Sequence, residues 1–408
     1  MSRNLTQTAT PDQSLSAQGL AAIDAYLQGL IDKGTVVGFV TLAARHGQIA
    51  RISTLGVKDL VTGEPMAADT MFRIFSMTKP VTAVAMMILH DRGLWSPDDP
   101  IAKHLPEFEG VKVLAGFDAS GAPILEEADH PPTLRELMTH TAGFTYARDP
   151  ADAMAPLYAA ADVWGAPNLA EFSKRLAILP LAYQPGGSWL YSLSMDLQAV
   201  IVEKLSGQPL ADFYQDHIFG PLGMVDTHFY IPPQEAARMA TLYRASASRG
   251  LLAMNSHAAF PDRVAQPTLP SGGGGLISTV TDYAHFAQML LNQGVFGDSR
   301  IISTSAAKLM MTNHLSDQML AIGWGAAHQR IRPGFGQGFN GIVFTDPVAA
   351  GVPVGTGTYH WDGAASTWFW VDPANDLIFV GMVQLLISPF MHHQEATQTL
   401  MAGALVSN

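Results

Sequence analysis

The stretch TYHWDGAASTWFWVD, residues 358–372, is followed closely by DLIFVGMVQLLIS, residues 376–388, and these two runs decide the fold. Both are rich in aromatic and β-branched residues, which favour strands. Between them, residues 372–375 (Asp-Pro-Ala-Asn) are typical of a tight turn. We therefore predict a β-hairpin near the C-terminus, followed by a closing helix over HQEATQTLMAGALV, residues 393–406.

The N-terminal part of the chain shows a matching pattern. Residues 14–33 place apolar side chains at helical spacing and end before Gly34, which predicts an amphipathic helix. Next come VGFVTLAAR, residues 37–45, and QIARISTLG, residues 48–56, joined by a His-Gly turn. This pattern predicts a second hairpin.

Strands at both ends of the chain enclose a long middle in which helical patterns alternate with loops rich in Pro and Gly. We predict an α+β fold, an α/β sandwich in which N- and C-terminal helices flank one antiparallel sheet. Residues 1–66 and 271–408 form the predicted sheet region, and residues 67–270 form an inserted, mainly helical region. The active site is expected in the cleft between the two.

Composition narrows the class of function. The chain has 408 residues, of which 48% are hydrophobic, and a mean hydropathy of +0.15, so it can bury a large core. Its net charge of −12 argues against binding nucleic-acid phosphates or an anionic membrane surface. The absence of cysteine excludes disulfides, a thiol nucleophile and thiolate metal sites. A small-molecule partner is expected.

The chain carries no pattern that directs it into or across a membrane. Its first twenty residues lack a basic start followed by an apolar run, and no apolar stretch is long enough to span a bilayer. We expect a cytoplasmic protein without membrane insertion.

Ser76 is the candidate nucleophile. It lies in FRIFSMTKPVTAVAMMILHDRG, residues 72–93, directly before an apolar helical run, where unpaired backbone N–H groups favour developing negative charge. Lys79 follows three residues later and shares a helix face with Ser76, so its amine can reach the serine oxygen. Pro80 fits the first turn of that helix. A serine hydroxyl needs such a neighbouring base to become a good nucleophile.

A Ser-x-x-Lys pattern is common, however, and often represents a helix cap beside a solvated lysine. The chain contains a second Ser-x-x-Lys pair, Ser305 and Lys308, which serves as an example of the pattern without a catalytic role. No glycine-rich or aromatic motif accompanies that second pair. We interpret it as an ordinary exposed helix start.

Tyr191 is the second candidate catalytic residue. It follows a Pro-Gly-Gly loop, residues 185–187, at the start of another predicted helix, which Ser192 or Ser194 can cap. A tyrosine there can act as a base or proton relay if a cation such as Lys79 lowers its pKa. The alternative is a residue that only packs.

The third element is the run Trp361, Asp362, Gly363, Ala364 in a predicted edge strand. Gly363 would allow substrate to approach closely, and the N–H of Ala364 could pair with the N–H of Ser76 as an oxyanion hole. The alternative is a strand with a bulge.

Several other residues are candidates for lesser roles. The glycine run 272–275 lacks the Lys-Ser/Thr of a phosphate loop and is interpreted as a flexible wall of the cleft. His140 is expected to form structural hydrogen bonds, and the pair 392–393 lacks the spacing of a metal site. The aromatic residues that could line the substrate site, or equally the core, are Phe144, Tyr146, Tyr158, Trp164, Trp189 and Trp368.

The order of these motifs resembles the family VIII carboxylesterases of the class C β-lactamase superfamily. The resemblance also includes DDPIAKHLPEF (98–108), LMTHTAGF (137–144), YQPGGSWLYSLSMD (183–196) and SGGGGLIST (271–279), and it extends over nearly the whole chain. It implies that Ser76 is the nucleophile, that Lys79 and Tyr191 are the base pair, and that no cofactor or metal is needed.

One departure from the β-lactamases bears on the substrate. Where those enzymes carry Lys-Thr-Gly, this chain carries Trp361, Asp362 and Gly363. It thus lacks the cation that would meet the carboxylate of a β-lactam, and Asp362 adds a negative charge if it faces the site. Neutral esters are the expected substrates. Acyl transfer, β-lactam or amide cleavage, and a catalytically silent binding protein remain as alternatives.

Overall fold

A computed structural model describes residues 4–6, 14–246, 248–254, 264–322, 331–386 and 392–406. Its α-helices are α1 Ala17–Asp32, α2 Thr78–Asp91, α3 Ile101–His104, α4 Leu134–Met138, α5 Ala155–Ala160, α6 Leu169–Ala177, α7 Ser194–Ser206, α8 Leu210–Tyr214, α9 Gly220–Leu222, α10 Val280–Leu291, α11 Thr304–Met310, α12 Asp317–Ile322, α13 Pro347–Ala350 and α14 His393–Ala404. Short 3₁₀ turns cover Phe75–Met77, Pro106–Phe108, Val163–Gly165 and Pro233–Arg238, and a π-turn covers Gln215–Phe219.

The strands are β1 Gly38–Arg45, β2 Gln48–Gly56, β3 Phe72–Arg73, β4 Lys112–Phe117, β5 Pro123–Glu127, β6 Tyr243–Ser246, β7 Gly250–Ala253, β8 Ile277–Ser278, β9 Val295–Phe296, β10 Ser299–Arg300, β11 Phe335–Gly338, β12 Gly341–Phe344, β13 Tyr359–Asp362, β14 Trp368–Asp372, β15 Leu377–Met382 and β16 Leu385–Leu386. The predicted strand residues 387–388 lie outside the described part of the chain.

One seven-stranded antiparallel sheet joins the two ends of the chain. Its order is β11-β12-β13-β14-β15-β1-β2, and β1 pairs with β15 from Val40↔Met382 to Arg45↔Leu377. The two predicted hairpins and the sheet shared by both ends are therefore confirmed. The first of the C-terminal runs divides into two strands, β13 and β14, which pair with each other through Trp361↔Phe369.

The two faces of the sheet bury different helices, as alternation along a strand requires. Phe39, Trp370 and Phe379 point towards the packed pair α1 and α14. Their strand neighbours Val40 and Val380 belong to the main core, which includes α10. The sheet thus lies between helices, and the predicted sandwich with flanking terminal helices is confirmed.

The middle of the chain is mainly helical, with α2 packed against α7 at its centre. It also contains the hairpin β4–β5 and the pair β6–β7, which the sequence patterns did not predict. Every residue of β5 is exposed, so this strand lacks the alternation of apolar and polar residues that marks a half-buried strand. The boundaries of the two predicted regions stay a prediction.

Helix α2 carries the first catalytic candidates into the core. Its residues Thr78–Leu89 are all buried, and it ends beside Gly93, which adopts a left-handed φ of +72°. A helix buried on all sides is mostly apolar, and the buried Lys79 of α2 is therefore an exception that needs polar partners. None of the helices in the described ranges is long and apolar enough to cross a membrane.

Candidate active site

Ser76 lies in the 3₁₀ turn Phe75–Met77, immediately before α2 begins. The preceding residue, Phe75, has a φ of +42°, a left-handed conformation that is unusual for a residue with a bulky side chain. Such local strain is typical of functional sites. The backbone N–H of Ser76 has no acceptor within hydrogen-bonding distance among the residues that the structure describes.

Lys79 is completely buried, and three groups surround its amine. Its Nζ lies 3.1 Å from Ser76 Oγ, 2.9 Å from the Tyr146 hydroxyl and 2.6 Å from the carbonyl oxygen of Gly273. The predicted contact between Ser76 and Lys79 is therefore present. Because a carbonyl can only accept, at least one N–H of the amine is committed to Gly273.

Tyr191 approaches the same serine from the loop before α7. Its hydroxyl lies 2.6 Å from Ser76 Oγ, and Lys79 Nζ lies 4.7 Å from the centre of its ring. The ring packs between Trp189, at a centroid distance of 6.4 Å, and Trp361, at 5.8 Å. Neighbouring aromatic rings thus hold the phenol in position.

The predicted serine cap of α7 is wrong. Leu193 occupies the N-cap, and no side chain caps the helix. Ser192 Oγ instead contacts Ser194 Oγ at 2.8 Å and His140 Nδ1 at 3.1 Å. His140 therefore has the structural hydrogen-bonding contacts expected for it.

Tyr146 is more than an aromatic wall. Its hydroxyl accepts a hydrogen bond from Lys79, and its ring lies 5.3 Å from that of Tyr191. Burial raises the pKa of this phenol well above its usual value, and the nearby Tyr191 and Asp196 raise it further. Tyr146 therefore stays protonated and supports Lys79 as a neutral partner.

Asp196 is a residue that the sequence interpretation missed. It lies in the first turn of α7, and its Oδ1 accepts hydrogen bonds from Ser271 Oγ at 2.5 Å and from the Gly273 N–H at 3.1 Å. Because the carbonyl of Gly273 contacts Lys79, this carboxylate holds the peptide that positions the amine. A buried acidic residue on an otherwise largely apolar helix was the available signal.

The glycine run 272–275 is not the flexible wall expected from its composition. A Cβ atom at Gly272 would lie 2.5 Å from the Met195 carbonyl, and one at Gly273 would lie 2.7 Å from Asp196 Oδ2. These distances are too short for any side chain. The glycines are required because the turn packs closely against α7.

The loop after β13 packs against the turn that carries Ser76. A Cβ atom at Gly363 would collide with the Ile74 carbonyl, so this glycine allows close backbone packing, and the substrate approach expected there stays a prediction. Ala364 is half-buried, and its N–H has no acceptor among the described residues. β13 is also not an edge strand, since it lies between β12 and β14.

Asp362 faces away from the Ser76 side of the sheet. Its neighbour Trp361 contacts Tyr191, and adjacent strand residues point to opposite faces. The negative charge of Asp362 instead raises the pKa of the buried His393 of α14, against the larger lowering that burial causes. The expected repulsion of anions by Asp362 therefore has no geometric basis.

The aromatic candidates separate into two groups. Trp164 stacks on Tyr146 at 5.9 Å, and Trp189 and Trp361 pack against Tyr191, so these residues surround the catalytic candidates. Trp361 is fully buried, which makes it a support for Tyr191 and not a surface that touches substrate in this conformation. The remaining candidates belong to the buried core: Phe144, Tyr158 and Trp368.

The second Ser-x-x-Lys pair behaves as expected for an ordinary helix start. Ser305 and Lys308 are exposed on α11, where the neighbouring Ser303 caps the helix. In the described ranges, no group of three or more His, Asp or Glu residues is arranged to hold a metal ion. Ser76 is therefore the candidate reaction centre, because its hydroxyl lies next to the amine of Lys79 and the phenol of Tyr191.

Comparison with known proteins agrees with this arrangement. The family model described as Beta-lactamase matches residues 23–403. The chain belongs to this family of serine hydrolases and acyl-transferring relatives, and has the β-lactamase/transpeptidase-like fold.

The similar proteins include one named as an esterase and one described as a hydrolase. Protein Rv1367c of Mycobacterium tuberculosis is 34% identical over 88% of each chain. Esterase EstB of Burkholderia gladioli is 31% identical over 88% of this chain and 89% of its own. The solved structure of EstCE1, a hydrolase with promiscuous acyltransferase activity, superposes with a TM-score of 0.76 at 25% identity over 95% of this chain and 98% of that one. The resemblance to family VIII carboxylesterases is thereby confirmed.

Proposed function

We propose that this chain is a carboxylesterase that hydrolyses neutral carboxylic esters through an acyl-enzyme on Ser76. The observation that carries the proposal is that Ser76 Oγ lies within hydrogen-bonding distance of both Lys79 Nζ and the Tyr191 hydroxyl. Two groups able to take a proton are thus in place before substrate binds.

In the proposed reaction, Ser76 Oγ forms a bond to the ester carbonyl carbon while its proton passes to the Lys79–Tyr191 pair. The resulting tetrahedral oxyanion collapses, the bond to the alcohol oxygen breaks, and the pair returns the proton to the departing alcohol. Water then attacks the acyl-enzyme by the same route, releasing the carboxylic acid and restoring Ser76.

We assign the oxyanion hole to the backbone N–H groups of Ser76 and Ala364. Neither group has an acceptor among the described residues, so both are available as donors. The strained turn at Phe75 fixes the position of the Ser76 N–H. The loop that contains Gly363 packs against Ile74 and fixes the position of the Ala364 N–H. Donors fixed in this way stabilise the developing charge without reorganising.

The preference for esters rests on the third motif and on the relatives. Trp361, Asp362 and Gly363 replace the Lys-Thr-Gly of β-lactamases, which removes the cation that would meet a lactam carboxylate. EstB, a relative over most of the chain, is named as an esterase. Both observations favour neutral esters over β-lactams.

Acyl transfer is the second candidate function. EstCE1, which shares the fold at 25% sequence identity, is described as having promiscuous acyltransferase activity. Chemically, an alcohol can replace water in the second half of the reaction without any change to the residues around Ser76.

The test compares 4-nitrophenyl butyrate with nitrocefin, using the wild-type chain, Ser76→Ala and the matched control Ser305→Ala. We expect ester turnover that is abolished in Ser76→Ala and retained in Ser305→Ala, together with fluorophosphonate labelling lost only in Ser76→Ala. Rapid nitrocefin turnover without ester cleavage would overturn the proposal. Product analysis with added butanol distinguishes hydrolysis from transfer.

A further inference from the structure

Arg148 is an exposed cation that lies against the aromatic residues of the proposed active site. Its guanidinium carbon is 4.1 Å from the centre of the Trp164 ring and 5.3 Å from the centre of the Tyr146 ring. Stacking on two rings holds a guanidinium in place while leaving the N–H groups at its edge available.

The guanidinium of Arg148 forms no ion pair with any carboxylate of the described residues, nor a hydrogen bond to one of their acceptors. Arg135, Arg175 and Arg238 do have such partners, and each lies within 2.9 Å of an acidic side chain. The indole N–H of Trp164 is also buried without a partner in the described ranges. The exposed guanidinium and the buried indole N–H thus both have donors that no described residue uses.

These donors are close to the nucleophile. Arg148 stacks on Tyr146, the hydroxyl of Tyr146 lies 2.9 Å from Lys79 Nζ, and that amine lies 3.1 Å from Ser76 Oγ. Two side chains thus separate the guanidinium from the reacting serine. A substrate bound at Ser76 needs a tail of only a few bonds to reach it.

Arg148 has no acidic partner among the described residues, although the chain as a whole is acidic. The chain has 35 acidic and 23 basic residues apart from histidine, so acidic partners are plentiful, yet none of those described neutralises Arg148. Asp362, the acidic residue of the third motif, faces the opposite side of the sheet and does not oppose an anion here. An incoming planar carboxylate matches the fork of a guanidinium.

We propose that Arg148 binds a substrate carboxylate, so that the site prefers esters whose acyl part ends in a carboxylate several bonds from the scissile carbonyl. This inference rests on the proposed esterase function and extends its substrate class from neutral esters to half-esters of dicarboxylic acids. The third motif carries no lysine, so Arg148 is the cation proposed to recognise an anion at the far end of the substrate.

The first experiment compares two substrates of equal length, 4-nitrophenyl hemiadipate and its terminal amide, 4-nitrophenyl 5-carbamoylpentanoate. The readout is the ratio of kcat/KM for the acid to kcat/KM for the amide, corrected for the rate without enzyme. We expect a ratio of about ten in the wild type, a value near one in Arg148→Gln, and a value below one in Arg148→Glu. Arg92→Gln is the control, because Arg92 also stacks on a ring, that of Phe213, at the far end of α2.

A ratio that is the same in wild type and Arg148→Gln would overturn the inference, even if both rates fall, because an equal fall indicates that Arg148 only orders its loop. The second experiment does not depend on turnover. Monoethyl adipate and diethyl adipate are titrated by calorimetry into Ser76→Ala and into Ser76→Ala/Arg148→Gln. We expect about tenfold weaker binding of the monoester in the double variant, with diethyl adipate unaffected.

The two proposals can fail separately. If the wild type cleaves neither ester, the proposed function is wrong, while the binding experiment still decides the role of Arg148. Equal affinity of the two Ser76→Ala proteins for monoethyl adipate would reject a carboxylate site at Arg148.

Discussion

The hydroxyl of Tyr191 lies 2.6 Å from Ser76 Oγ, closer than the amine of Lys79 at 3.1 Å. Tyr191→Phe removes this contact and keeps the ring that packs against Trp189 and Trp361. We therefore expect the acylation rate to fall by at least about a hundredfold, without loss of folding. Single-turnover kinetics with 4-nitrophenyl butyrate measures the rate, and circular dichroism checks the fold. A Tyr191→Phe acylation rate within about threefold of the wild-type rate would show that Tyr191 has no catalytic role.

Lys79→Met tests the amine while keeping a side chain of similar length in its buried site. Loss of the group next to Ser76 Oγ should lower acylation by about a hundredfold or more. Lys308→Met is the matched control, since Lys308 has the same spacing from a serine but is exposed on α11. Equal activities of the two variants would contradict the role of Lys79.

Asp196 supports Lys79 through the peptide of Gly273, and this link can be tested with two substitutions. Asp196→Ala removes the acceptor for Ser271 and Gly273, and we expect kcat/KM to fall by about tenfold to a hundredfold, since hydrogen bonds to charged groups contribute about 1.5–3 kcal/mol. Asp196→Asn keeps an acceptor oxygen and should recover much of that loss.

The control for Asp196 is Asp212→Ala, which removes an exposed acidic residue from the first turn of another helix, α8. An Asp196→Ala variant with the wild-type rate would show that the Gly273 peptide holds its place without the carboxylate.

Gly363→Ala tests the close packing of the loop after β13. The added methyl group would meet the Ile74 carbonyl, so we expect a loss of about 1–3 kcal/mol in the free energy of unfolding. Gly403→Ala is the comparison, because no atom lies within 4 Å of its added Cβ and alanine favours the helix. Urea unfolding measures both, and a Gly363→Ala variant as stable as Gly403→Ala would contradict the contact.

The buried His393 predicts a pH dependence of stability. Burial lowers its pKa from 6.5 to about 4. Between these values the unfolded chain binds more protons at this residue than the folded chain, so its contribution makes stability rise with pH and fall as acid is added. His393→Gln should therefore flatten the dependence of the free energy of unfolding on pH between about 4 and 6.5.

The neighbouring His392 is exposed and supplies the control for this measurement. If His392→Gln and His393→Gln changed the pH dependence equally, burial of His393 would not be its cause.

Much of this fold was predictable because its signals are local. The hairpins at both ends alternate or concentrate apolar residues, and α2 is marked by a long apolar run after Ser76. The β4–β5 hairpin was not predicted because its second strand is exposed throughout and lacks a pattern of buried apolar residues. The contacts of the site were harder to predict from the sequence. Asp196 and Gly273 meet only because a turn packs on α7, and the side of the sheet that Asp362 faces depends on strand register. Sequence spacing alone contains neither relationship.

The pairing of β1 with β15 has a consequence for biosynthesis. A ribosome makes β1 and β2 first, but the strand that β1 pairs with on its other side is made only after more than three hundred further residues. Until then the inner edge of the early hairpin is unpaired, and such an edge can pair with another chain. We expect nascent or truncated chains that end before β15 to require a chaperone, although the proposed catalytic residues Ser76, Lys79 and Tyr191 have all been synthesised by that point.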